Sequence, residues 1–179
     1  VTLASGETLA ADAIIFNGDS AALSDGLLGD DVVKSTRTRK RRERGLSAIT
    51  WCINANTSGF ELDHHNVFFA TNYEREFTTI FKSRSVCNEP TVYVCAQDRV
   101  NGKLSTEGKE RLLLLINAPA DGDHGAWTRS KLDQQRKNAL DVLSRGGLKL
   151  AFSEEDCVTT CPDNWHQRFP GSGGSLYGA

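Results

Sequence analysis

The stretch His64-His65-Asn66-Val67-Phe68-Phe69-Ala70, running into Thr71-Asn72-Tyr73-Glu74-Arg75-Glu76-Phe77-Thr78-Thr79-Ile80-Phe81, decides the fold. Its first half is a short apolar run rich in Val and Phe, and at Thr71 the rhythm changes. Tyr73, Phe77, Ile80 and Phe81 fall at i, i+4, i+7 and i+8, which places them on one face of a helix. Thr71 with Glu74 three residues on reads as a capping box, in which side chains satisfy N–H groups that a helix start leaves unpaired. The expectation is a buried strand feeding an amphipathic helix that folds back over it.

Working outward, residues 46–54 alternate, with Ile49, Trp51 and Ile53 on one face and Ala48, Thr50 and Cys52 on the other, the period of a strand. The turn at Thr57-Ser58-Gly59 predicts that this strand pairs antiparallel with the His64 stretch. Residues 91–96 and 112–116 are two more strands, joined through Asn101-Gly102 and Gly108. The second is apolar on both faces and is therefore predicted to be central, ending at Pro119, which has no N–H for a ladder. Arg129–Arg145 reads as a helix with Leu132, Ala139, Leu140 and Leu143 on one face and Gly146-Gly147 as its stop. At the other end, residues 1–3 and 8–16 flank Ser5-Gly6 as a hairpin, after which Asp19 or Ser20 caps a short helix through Leu23 and Leu27-Leu28. The sum is an α+β fold, a mostly antiparallel sheet with helices on one face.

A chain of 179 residues with 39% hydrophobic and 25% charged residues buries one core. A formal net charge of -2 gives no overall attraction to nucleic acid, and no apolar run reaches the roughly 18 residues of a membrane-spanning helix. The chain starts at Val1 and contains no Met, so a piece of a longer protein is expected. Its five cysteines are odd in number and scattered, which suits a reducing cytoplasm.

Chemistry-bearing residues are few. Lys34, Arg37, Arg39, Lys40, Arg41, Arg42 and Arg44 form a basic run opposed only by Glu43. Such a run suits lipid phosphates, or is simply solvated; without interleaved aromatics it offers no stacking platform for nucleic acid. His64 and His65 would point to opposite faces of a strand and so not share a metal; no metal site is expected there. Cys157, Cys161 and His166 lack a fourth zinc ligand, and residues 121–125 do not match a calcium loop. The glycine-rich residues 171–178 lack the third glycine of a dinucleotide fingerprint and the Lys of a P-loop, leaving a flexible turn or a close approach to a flat ligand. Trp51, Phe68, Phe69 and Tyr93 form either an ordinary core or a wall for a long apolar ligand.

His64 to Phe81, with Pro90 to Arg99, Glu110-Arg111-Leu112-Leu113, Asn117-Ala118-Pro119-Ala120, Gly122-Asp123 and Phe169 to Gly178, resembles the bacterial carotenoid desaturases of the phytoene-desaturase family. The likeness is greatest to the branch acting on 1-hydroxycarotenoids, the hydroxyneurosporene or methoxyneurosporene dehydrogenases, although Cys161 stands where the family tends to have Thr before Pro162. The resemblance implies the substrate domain of a flavin amine-oxidase-like enzyme. Residues 1–20 would be the edge of, or return strand to, an FAD-binding domain, and 21–179 the substrate-binding domain. The parent would be an FAD-dependent oxidoreductase removing two hydrogens from adjacent carbons of an apolar 1-hydroxy- or methoxy-carotenoid, with the flavin taking a hydride. By the same resemblance Asn17, Gly18, Asp19, Gly173, Gly174 and Tyr177 would lie near the flavin, and Trp51, Phe68, Phe69 and Tyr93 at the substrate. The family's flavin fingerprint and its C-terminal flavin segment are not in these residues, so this chain alone is expected to bind no FAD and to be inactive. The protein would be cytoplasmic and peripheral to the membrane. A competing expectation is a non-enzymatic module that docks its basic run, residues 34–44, on an anionic membrane or partner.

Overall fold

In the computed structural model, residues 1–37, 40–101, 103–104, 108–125 and 127–177 are described; Arg39, Gly102 and Gly178 of the sequence reading lie outside them. Two short helices, α1 (Ser20–Ser24) and α2 (Asp30–Val33), lead to the strands β1 (Leu46–Ser58) and β2 (His65–Phe68). Helix α3 (Tyr73–Ser83), strand β3 (Val92–Ala96) and a small ribbon, β4 (Arg99–Val100) with β5 (Lys103–Leu104), precede the long strand β6 (Glu110–Pro119). The chain then runs through α4 (Arg129–Arg145), β7 (Lys149–Ala151), β8 (Cys157–Thr160) and α5 (Pro162–Arg168).

The sheet order is β2-β3-β6-β1-β7, with β8 also on β1, and every pairing is antiparallel. This is the expected α+β architecture, with β6 central. One pairing differs. β1 lies against β6, Leu46 opposite Pro119 through Ala55 opposite Glu110, and β2 pairs with β3 instead. The ten-residue match sets Ile49, Trp51 and Ile53 opposite Ile116, Leu114 and Leu112, a longer apolar register than the four-residue β2 could supply. β2 is consequently an edge strand and not a buried one.

Helix α3 starts one residue later than the capping box predicted. The Asn72 carboxamide oxygen accepts from the Arg75 N–H at 2.9 Å, while the Thr71 hydroxyl donates to Glu89 at 2.7 Å. Its buried face is Glu76 and Ile80; Tyr73 and Phe81 are exposed and, with Phe69 and Phe77, form a ladder of ring contacts at 5.7, 4.9 and 6.4 Å. Buried Glu76 accepts, through one carboxylate oxygen, the N–H of Thr91 just before β3 at 3.1 Å. The N-terminal hairpin shrinks to one bridge between Thr2 and Thr8, and residues 9–17 form no strand, with Ile15 96% exposed. Asp19 caps α1 as expected, accepting from the Ala21 N–H at 2.8 Å, although α1 stops at Ser24 before Leu27-Leu28.

Helix α4 has the predicted bounds. Thr128 caps it, and Gly147 at φ 91° turns the chain away in a region that favours glycine. Its Ala139, Val142 and Leu143 pack onto Ile49, Trp51, Ile53, Phe68, Val92, Val94, Leu112, Leu114 and Ile116, all buried in one cluster. At the far end of this core Glu110 is buried and receives two hydrogen bonds of 2.8 Å from Arg99 and one from the Thr57 hydroxyl. Burial alone would raise the Glu110 carboxyl, but the donors Arg99 and Thr57 outweigh it and hold it below its ordinary value of 4.5.

Candidate functional site

The register sorts the sheet into two faces. Residues directly opposite one another share a face, so Val158, Cys52, Leu113, Cys95 and His65 form one row across five strands, and Thr160, Thr50, Leu115, Tyr93 and Val67 form the next. At strand spacings of about 4.8 Å such a row is about 19 Å wide. Helix α4 covers the opposite face. On this one Cys52, Val67 and Val158 are exposed, and Tyr93, Leu113 and Leu115 are half-buried.

That parity separates the four residues expected at an apolar ligand. Trp51 is 0% exposed and Phe68 is likewise buried, both in the core under α4, because the pleat sends them to the sealed side. Tyr93 lies on the open face, and Phe69 is exposed beside Tyr73, past the end of β2. Burial, then the neighbouring Cys95 sulfur, pushes the Tyr93 phenol up, so it stays a neutral hydroxyl. Cys52, Leu113, Leu115, Val67 and Val158, which share this open face, were not among the residues expected at the ligand. Their signal was the two-sided apolarity of residues 112–116.

Two segments at opposite ends of the chain meet. Gly18 and Asp19 line a cleft of about 370 Å³ with Ser20, Arg44, Gly171, Ser172 and Tyr177. Asn17 is not among its lining residues. Gly173 and Gly174 are buried and are not among its lining residues. A Cβ on Gly173, whose φ is 62°, would lie 2.1 Å from the Arg44 guanidinium, and one on Gly174 would lie 2.4 Å from the Pro162 carbonyl oxygen. Both glycines are held in close packing that a Cβ would break.

Arg44 is also withdrawn from the basic run. Its guanidinium pairs with Asp123 at 2.9 Å and donates to the Ala120 and Gly171 carbonyl oxygens. Burial would raise the Asp123 carboxyl, but Arg44 holds it below its ordinary value. Lys34 pairs with Asp31, while Arg37, Lys40 and Arg42 are exposed; Arg39 lies outside the described residues. No helix among the described residues is long and apolar enough to cross a membrane.

The expectation that His64 and His65 point apart fails for a local reason: β2 begins at His65, so His64 precedes the pleat. The two rings meet edge to face at 4.5 Å. His64 Nδ1 lies 3.0 Å from the Arg99 carbonyl oxygen and its Nε2 3.7 Å from Cys95 Sγ, while His65 Nδ1 lies 2.7 Å from the Tyr93 hydroxyl.

No family model matches the chain. Individual proteins do. A hydroxyneurosporene desaturase of Rubrivivax gelatinosus is 44% identical over 178 residues, 99% of this chain and 34% of that protein. One from Cereibacter sphaeroides is 38% identical over 99% of this chain and 35% of its own length. A 1-hydroxycarotenoid 3,4-desaturase of a Flavobacterium is 29% identical over 94% of this chain and 34% of its own length. The chain belongs to the carotenoid desaturase family.

The chain spans about a third of the length of the curated carotenoid desaturases it matches. The likeness runs through the whole of it, so the open rows, the cleft and the His64 corner all lie within carotenoid desaturase sequence. The antiparallel sheet with its helices is the α+β architecture expected from the sequence.

Proposed function

We propose that this chain is the substrate-holding part of an enzyme that dehydrogenates a 1-hydroxy- or methoxy-carotenoid, forming a new double bond between two adjacent saturated carbons. One observation carries the proposal: β6 is apolar on both sides, yet α4 seals only one, leaving Leu113 and Leu115 to face an apolar partner beside Cys52, Val67 and Tyr93. Burying apolar surface contributes about 25 cal/mol per Å², so a hydrocarbon laid over these rows is held without polar contacts. A wall of this kind aligns the chain of carbons and keeps water from them. The names of the similar proteins support hydroxyneurosporene as the type of substrate.

The cofactor in this reading is FAD, which supplies the hydride acceptor when bound. The cleft at Gly18, Asp19, Ser172 and Tyr177 is at the small end of ligand pockets, which run roughly 300–1,000 Å³, so it fits one edge of so large a molecule. In this reading the rest of the flavin cradle is supplied by the parts of the desaturase beyond the third that this chain matches. Contact with an anionic bilayer through Arg37, Lys40 and Arg42, on the cytoplasmic side, is part of the same proposal. Liposome sedimentation at low and high salt tests that part, since surface charge attraction is screened by salt.

The main test uses the full-length enzyme with Cys52→Asp and Val67→Glu, both at exposed positions of the open rows. The expected result is a KM for hydroxyneurosporene raised at least ten-fold in a protein with an unchanged melting curve. Unchanged kinetics in the folded variant would sink the substrate wall.

A further inference from the structure

We propose that His64, His65 and Cys95 form a binding site for one thiophilic metal ion, Zn²⁺ being the best fit, at the edge-strand end of the open sheet face. Each of the three offers one ligand atom, and these atoms lie within 4.8 Å of one another. Zinc holds nitrogen at about 2.0–2.1 Å and sulfur at about 2.3 Å, so tetrahedral ligands stand roughly 3.3–3.7 Å apart. His64 Nε2 and Cys95 Sγ already meet that separation at 3.7 Å. His65 closes the remainder by a small rotation, which its exposed position on an edge strand allows.

The surroundings favour metal over a plain hydrogen-bonded corner. The Arg99 carbonyl oxygen can only accept, so His64 carries its proton on Nδ1 and leaves the Nε2 lone pair aimed at Cys95. A ligating His is commonly oriented in this way by a carbonyl on its other nitrogen. The Tyr93 hydroxyl, 2.7 Å from His65 Nδ1, orients the second ring. Two imidazoles and a thiol suit zinc, or another soft ion, rather than magnesium or calcium. Binding replaces the Cys95 S–H bond with a metal–sulfur bond, and the released proton goes to solvent, so affinity rises with pH. Three protein ligands leave a fourth position for water. The site does not depend on the carotenoid reading.

The test titrates chelator-stripped, full-length protein with Zn²⁺ by calorimetry, and then the variants His64→Ala, His65→Ala, Cys95→Ser and Cys52→Ser. Expected is an exothermic or endothermic saturable event that Cys52→Ser leaves intact. His64→Ala, His65→Ala and Cys95→Ser should each weaken it at least about ten-fold, in line with the losses that follow even outer-shell changes. Because His65 is exposed, His65→Ala keeps the fold, so the result stands if Cys95→Ser unfolds. No saturable binding, or binding indifferent to His65→Ala, overturns the site.

Discussion

The two faces of one sheet are built from similar residues and do different work. Under α4, Trp51, Leu114 and Val94 stand in a row that is fully buried. One residue along the same strands, Cys52, Leu113 and Cys95 form a row that begins at exposed Val158 and ends at exposed His65. The sealed face holds the fold together. The open face leaves Cys52, Leu113 and Val158 half-buried or exposed, and in the function proposed above a hydrocarbon covers them.

The contrast breaks most readily at Trp51. Trp51→Ala is expected to lower unfolding stability by about 3–5 kcal/mol, through lost burial and the cavity left behind, as read from urea denaturation. Next comes Glu110→Gln, which leaves Arg99 in place with its charge partner gone and should cost about 3 kcal/mol by the same measurement. The carboxyl is held below 4.5 in the fold, so its contribution is present at neutral pH and lost as pH falls through the lower folded value. The wild-type urea midpoint should therefore drop between about pH 5 and pH 3 more steeply than that of Glu110→Gln.

A smaller effect is expected at the buried glycine turn. Gly173→Ala combines a positive φ with a Cβ pressed on Arg44 and should cost roughly 1–3 kcal/mol, seen as a lowered thermal midpoint. Least affected should be the open face: Val158→Thr, at a residue 64% exposed, is expected within about 0.5 kcal/mol of wild type. A large loss there would mean that the open face is part of the core, and the comparison between the faces would fail.

Much of this was legible beforehand. Alternation in residues 46–54 told which side chains share a face, and the two-sided run at 112–116 told that β6 is central. Helix α4 was readable to the residue, because Leu132, Ala139, Leu140 and Leu143 share one face and Gly146-Gly147 stops the segment. The cap of α3 was displaced by one residue because Thr71 and Asn72 both qualify, and Glu89 claims the Thr71 hydroxyl. Trp51 and Phe68 were expected in an apolar wall at the substrate, yet parity puts them on the covered side. The His64 corner was hidden because Cys95 arrives from 31 residues away.

From sequence alone came the local periods: where strands alternate, where helices begin and stop, and a likeness to carotenoid desaturases that runs the length of the chain. Tertiary structure alone decided that β1 lies on β6, that α4 covers the Trp51 side, and that Gly18 meets Tyr177 across one cleft. The physical reason is range. The pleat and the helical turn are set by neighbouring residues, whereas the choice of which apolar face to cover depends on long contacts whose partners no local pattern names.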